Sequence, residues 1–332
     1  MPVTIYYDKD ADLEHLKSKK VAVIGYGSQG HAHALNLRDS GVEVLVAELS
    51  GTANYDLARQ HSFQPLAAAE ATAKGDLVIV TLPDEVQAQV YDDRIAPNLK
   101  KGKCLGFCHG FNIHFGQIAP PTGVDVIMVA PKGPGSLLRT EFEQGRGIPC
   151  LLAVQADATG QAKKTALAWA AAIGAGRTGI IETTFRDETE TDLFGEQVVL
   201  CGGITELVKA GFDTLVGAGY EPELAYFECM HELKLIVDLF YQGGIGYMWR
   251  VVSNTAEYGG LTRGRRVITD QTRHEMRQIL EQIKDGQFAR EWIAESQGGR
   301  KLMDELAEAD RQHPIEQVGR QLRSMMSWID AR

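Results

Sequence analysis

Cysteine is scarce in this chain of 332 residues: there are five, at positions 104, 108, 150, 201 and 229, with no CxxC pair. An odd set without paired spacing argues against a disulfide framework or a structural zinc site and suits a reducing compartment. Positive charge is in deficit, with 34 Lys and Arg against 44 Asp and Glu and a net charge of −10. Nucleic-acid binders gather Lys and Arg against phosphates, so no nucleic-acid partner is expected. No apolar run approaches the ~20 residues that span a bilayer, so no membrane partner is expected either. The opening MPVTIYYDKDADLEHLKSKK lacks an apolar signal segment, and a cytoplasmic location is expected. Repeats and low-complexity linkers are also missing.

The length favours two cores over one, and a change of pattern near residue 183 divides them. Before it, short apolar runs recur at Val21–Gly25, Val42–Glu48, Leu77–Leu82, Lys103–Cys108, Asp125–Pro131, Cys150–Val154 and Thr178–Thr183. Helix-like stretches such as Ser28–Asp39, Thr52–Gln60 and Thr159–Ile173 lie between several of them. That alternation predicts a parallel sheet covered on both faces, a doubly wound α/β domain over residues 1–182. Beyond it the apolar period is helical, over Asp192–Ala210, Pro222–Tyr241, Asp270–Lys284 and His313–Trp328. Pro222 and Pro314 stand where a first helical turn accepts proline. An all-α domain over residues 183–328 is expected.

The segment VAVIGYGSQGHAHALNL reads as strand, glycine turn, helix. Gly25, Tyr26, Gly27, Ser28, Gln29 and Gly30 form a GxGxxG turn of the Rossmann type. Its glycines allow a tight bend and backbone approach to a pyrophosphate, and the helix start offers N–H groups and a positive dipole end. The next strand ends in Glu48. An acid there accepts from the adenosine ribose hydroxyls and repels a 2′-phosphate, which favours NADH. The competing reading turns Glu48 to solvent and leaves Thr52 and backbone N–H groups to hold a phosphate.

Four acids come in two pairs, Asp192 with Glu196 and Glu228 with Glu232, each four residues apart. On a helix such a pair shares one face. Projected helically, Glu228 and Glu232 fall among Leu224, Ala225, Leu235, Ile236 and Leu239, while His231, Lys234 and Asp238 mark another, wetter face. Acids on an apolar stripe are costly to bury unless paired, protonated or bound to a cation. Carboxylates without His or Cys neighbours suit two Mg²⁺ ions roughly 4 Å apart. For either pair alone, a solvated helix face is the plainer reading.

At GYGSQGHAHALNL, LPDEVQ, HGFNIHF, APKGPGSLLR, ETDLFGEQVVLCGG, ECMHELKLIVDL, SNTAEYG and GQFAREW the chain resembles the ketol-acid reductoisomerase family in its short form. The resemblance implies that 2-acetolactate or 2-aceto-2-hydroxybutyrate undergoes alkyl migration and reduction to a 2,3-dihydroxy acid, in branched-chain amino-acid synthesis. It implies Asp192, Glu196, Glu228 and Glu232 as Mg²⁺ ligands. Ser253, with Cys201 and Ala256, is implied as contacting substrate, and His109 and Lys132 as catalytic. It places cofactor contacts at Tyr26, Gly27, Ser28, Gln29, Leu82, Pro83, Asp84, Gln87 and Gly135. It further implies a knotted helical domain and a homodimer in which Glu228, Glu232 and Ser253 serve the neighbouring subunit's site. One loop departs from the family pattern. Aligned on Gly51, Leu49 replaces an Arg, and Thr52 and Asn54 replace two Ser that hold the NADPH 2′-phosphate. A member preferring NADH, or using both cofactors, is expected.

We assign Glu232 and Lys132 to proton and charge management, and His109, just past a strand end, to polarisation through water. By position alone His109 could be a satisfied loop histidine, Lys132 a surface residue in a rigid turn, and Ser253 a helix N-cap. Cys201 and Cys229 read as packing or contact residues, not nucleophiles. Two other classes compete: a metal-free hydroxyacid dehydrogenase with a helical dimerisation domain, and an NAD-sensing regulator. The first would keep its activity in EDTA. The second gives no reason for four acids on apolar helix faces.

Overall fold

A computed structural model describes residues 3–328. Its strands are β1 (Ile5–Tyr6), β2 (Lys20–Ile24), β3 (Glu43–Ala47), β4 (Leu77–Val80), β5 (Cys104–Phe107), β6 (Asp125–Pro131), β7 (Cys150–Ala156) and β8 (Ile180–Glu182). They form one sheet in the order β1-β8-β7-β6-β5-β4-β2-β3. Every apolar run expected as a strand is one. β1 was not foreseen, because two residues carry no periodic signal.

From β3 to β6 all neighbours run parallel, but β7 lies antiparallel to β6 and β1 antiparallel to β8. The sheet is therefore mixed where a parallel one was expected. A continuous apolar run reports burial on both faces and says nothing about strand direction.

All four residues of β4 and all seven of β6 are buried. One face is covered by the helices Ser28–Asp39 and Ala162–Ala172, which bury Ala32, Ala34, Leu37, Ala168 and Trp169. The other packs Ala71, Tyr91, Ile95 and Phe185 against Val78, Val80 and Phe107. Fully burying each large side chain contributes about 1.5–3 kcal/mol. This half is a Rossmann-type α/β domain.

The compact units divide between Thr191 and Asp192, within the helix Phe185–Gly195. After it the described residues form helices only, including Gly202–Gly217, Pro222–Tyr226, Glu232–Val251, Asn254–Val267, Asp270–Lys284 and Pro314–Arg323. Pro222 and Pro314 occupy first-turn positions. The helix expected over Asp192–Ala210 is interrupted by a π turn at Glu196–Leu200, and that over Pro222–Tyr241 by one at Phe227–His231. Apolar periodicity over a dozen residues does not resolve one extra residue in a turn. A small core of Val208, Phe212, Ala225, Tyr226, Ile315 and Leu322 holds this half. Among the described residues no helix is long and apolar enough to cross a membrane.

Candidate active site

The C-terminal ends of β2, β4, β5 and β6, neighbours in the sheet, carry the nucleotide turn, Leu82-Pro83-Asp84, His109 and Lys132 in that order. Strand order reverses beside β2, which is where open α/β sheets bind ligands.

The turn after β2 is shaped by contact distances. A Cβ on Gly30 would collide with the carbonyl oxygen of Gly25, so this glycine lets the helix Ser28–Asp39 press onto the strand end. Gly135 is needed likewise, since a Cβ there would collide with the Ser28 carbonyl. At Gly27 a Cβ would meet nothing within 4 Å, and no side chain caps the helix that begins there. That open face and its uncapped N–H groups fit a pyrophosphate. Gln29 Nε2 donates to Gly133 O at 3.0 Å, and its buried Oε1 has no partner among the described residues.

Tyr26 contributes backbone rather than ring. Its side chain is buried, the hydroxyl lies 2.9 Å from His61 Nδ1, and burial pushes the phenol up to about 12. Its N–H donates at 2.8 Å to the Glu48 carboxylate, which also accepts from the Leu49 N–H at 2.8 Å. Glu48 is thus locked beside the glycine turn and does not turn to solvent. Thr52 donates to Leu49 O at 2.8 Å and accepts from the Tyr55 N–H at 3.1 Å, capping the helix Ala53–Gln60. Leu49 and Asn54 are exposed.

Below β4, Gln87 donates to Leu82 O at 2.7 Å and to Asp84 Oδ1 at 3.1 Å. Buried Asn112 donates to Asp84 O at 3.0 Å and Gln87 Oε1 at 3.2 Å. Asn112, within HGFNIHF, had not been singled out, yet it ties the start of the helix Asp84–Val90 to the segment after His109.

Glu188 was also missed. It is 1% exposed, and its carboxylate meets Lys132 Nζ at 2.8 Å, His109 Nδ1 at 3.0 and 3.2 Å, and the Gly110 N–H at 2.9 Å. Burial alone would push the carboxyl up. Hydrogen bonds and charge from His109 and Lys132 outweigh it and hold the group below the usual range. Three residues before Thr191 in a mixed polar helix, it showed no pattern of its own; a buried acid reveals itself only when its partners arrive from β5 and β6. Asp192 follows it by one helical turn.

The other acids lie as expected in sequence but not in environment. Glu228 and Glu232 are exposed, and so are Leu224 and Leu235 of the supposed stripe. The expectation that these acids are buried on an apolar face is corrected: the Phe227–His231 π turn alters the projection, and both acids stand exposed among the described residues. Neither acid has an ion-pair partner among the described residues. Glu196 is exposed and Asp192 half-buried. An all-carboxylate donor set fits hard divalent cations. Ser253 caps the helix Asn254–Val267, its hydroxyl accepting from Ala256 N at 3.1 Å, and Cys201 is exposed just past the first π turn.

Comparison with known proteins matches residues 15–179 to the acetohydroxy acid isomeroreductase NADPH-binding domain and residues 185–328 to the ketol-acid reductoisomerase C-terminal domain. A solved NADH-preferring ketol-acid reductoisomerase from an uncultured archean is 46% identical, with a TM-score of 0.95 over 98% of this chain and 99% of that one. A semialdehyde dehydrogenase NAD-binding protein from Cupriavidus necator, solved with calcium and NAD, is 18% identical over 80% of this chain and 99% of that one, at a TM-score of 0.62. A Plasmodium falciparum pyrroline carboxylate reductase with NADP bound is 15% identical over 81% and 98%, at 0.52. The last two likenesses are of fold alone. Matched in order by both domain models and nearly end to end by a solved relative, the chain belongs to the ketol-acid reductoisomerase family of oxidoreductases.

Proposed function

We propose that this chain catalyses magnesium-dependent alkyl migration in 2-acetolactate or 2-aceto-2-hydroxybutyrate, followed by reduction to the 2,3-dihydroxy acid. The step belongs to branched-chain amino-acid synthesis, and we place it in the cytoplasm. The observation that carries the reading is buried Glu188, joined to Lys132 and His109 at adjacent strand ends and one helical turn before Asp192. Asp192, Glu196, Glu228 and Glu232 would hold the cations, the second pair acting in the neighbouring subunit of a homodimer with a knotted helical domain. When bound, the cations supply positive charge for a developing oxyanion and the nicotinamide supplies hydride.

The chain's own residues prepare that chemistry. Glu188 keeps Lys132 charged and aimed. It also accepts from Nδ1–H of His109, which fixes the ring and turns Nε2 away from the carboxylate. Lys132 and Glu232 manage protons and charge, and Ser253, Cys201 and Ala256 contact substrate.

The cofactor we infer is NADH in preference to NADPH. A carboxylate fixed by two backbone N–H groups repels a 2′-phosphate, and the Thr52 hydroxyl is already engaged at both ends. The relative described as NADH-preferring supports the same reading.

The test is an acetolactate assay with each reduced cofactor, with and without Mg²⁺. Activity that survives EDTA sinks the metal reading, and a higher kcat/KM with NADPH sinks the cofactor reading.

A further inference from the structure

The glycine turn contains one side chain for which the proposed reaction has no use. Tyr26 stands between Gly25 and Gly27, two residues whose backbones impose little on it. What fixes Tyr26 is therefore its ring, which is wholly buried. The ring lies edge-on to Phe63, with centroids 5.7 Å apart, and its hydroxyl shares a hydrogen bond of 2.9 Å with His61 Nδ1. The N–H of the same residue donates to Glu48 Oε2 at 2.8 Å. The carboxylate's other donor is the N–H of Leu49, its own neighbour in the chain, which moves with it. Of these two bonds, only the one from Tyr26 ties Glu48 to the glycine turn.

His61 is itself firmly placed. It ends the helix Ala53–Gln60, whose other end is capped by Thr52 within the loop expected to select the cofactor. Ser62 follows with φ +66, in the left-handed region that a helix end normally gives to glycine. A serine is strained there, and such strain persists only where neighbours fix the backbone. Those neighbours are present. The Ser62 N–H donates to Arg59 O at 2.9 Å and the Phe63 N–H to Ala58 O at 3.0 Å. Arg38 donates to His61 O and sets its guanidinium 4.8 Å from the centre of the Phe63 ring.

We propose that His61 is a positioning residue for cofactor choice: through the Tyr26 hydroxyl it holds the Tyr26 N–H against Glu48, and so keeps the carboxylate where a 2′-phosphate would meet it. This rests on the NADH reading above. His61 acts through Tyr26 and not by contact with the dinucleotide.

The test is a titration of NADH and of NADPH into the full chain without substrate, read by nicotinamide fluorescence, beside circular dichroism. His61→Leu and Tyr26→Phe each remove one end of the hydrogen bond. Each is expected to lower the preference for NADH, taken as the ratio of the two Kd values, by ~3–10-fold, the range that one neutral hydrogen bond spans. Both shifts should vanish in a Glu48→Gln background, because a residue that works through the carboxylate has nothing to set once its charge is gone. Equal weakening of both cofactors, or a shift that survives in Glu48→Gln, overturns the proposal. Should His61→Leu fail to fold, Tyr26→Phe carries the test. Failure of both to fold also overturns it, since the pair then serves the fold alone. A parent without NADH preference, or one whose preference Glu48→Gln leaves unchanged, overturns the NADH reading and this proposal with it. A preference that Glu48→Gln abolishes and His61→Leu leaves intact overturns this proposal alone.

Discussion

The two halves of the molecule differ in how they dispose of apolar surface. The α/β half encloses its own: β4 and β6 are wholly buried, and Trp169 and Phe107 are inaccessible. The helical half leaves much of its apolar surface open, with Leu235 at 51% exposure, Ile245 at 67% and Tyr241 at 93% along Glu232–Val251. Exposed apolar surface on that scale is rarely left to water. The nucleotide half is complete in one chain, and the helical half fits a protein finished by a second copy.

The sharpest way to break that contrast lies in the self-contained half. Glu188→Gln removes the charge that holds Lys132 and His109 and should lower kcat by ~10²–10⁴-fold. NADH affinity, set elsewhere on the sheet edge, should stay within error. A parallel loss of NADH binding would show that Glu188 is only a fold residue.

Leu235→Asp together with Tyr241→Glu should leave the α/β half folded and convert the proposed dimer to a monomer by light scattering. Activity should fall with the loss of the second subunit's Glu228 and Glu232. A variant that remains a fully active dimer would move the interface elsewhere.

Glu48→Ser with Leu49→Arg should raise kcat/KM for NADPH relative to NADH by ~10–100-fold, the worth of one charge-assisted hydrogen bond gained and one repulsion lost. An unchanged ratio would show that the locked carboxylate does not discriminate.

The last effect concerns stability. Burial pushes the His33 imidazole down to about 3, and its Nδ1 accepts from Trp169 Nε1–H at 3.1 Å. As pH falls below 6.5 the unfolded chain takes up a proton that the folded one refuses until about 3, so stability is lost across that window. His33→Gln should flatten the acid limb by about 1.4 kcal/mol per pH unit. Denaturant titrations from pH 7 to 4 would measure the slope.

Legibility followed the range of the interactions. Ser28–Asp39 and Asp270–Lys284 have the bounds expected of them, because the glycine turn before the first, the Thr269 cap of the second and the apolar period are local. The seven expected strands were legible as short apolar runs between helix-like stretches, although β3 proves to be an edge strand. The glycine turn was legible because Gly30 answers to a neighbour five residues away. Strand direction in β7 was not, since burial has no polarity. Nor were the π turns, which insert one residue without disturbing the apolar count.

From its residues alone the chain declared two halves, the nucleotide turn, the acid at the end of β3 and the four carboxylates, since each is a local pattern. Only folding decided that Glu188 would sit buried between His109 and Lys132, that Asn112 would pin the start of the helix Asp84–Val90, and that Glu228 and Glu232 would face outward. Those outcomes depend on groups brought together from 25 to 79 positions apart, and no periodicity in one segment reports what another segment will place against it.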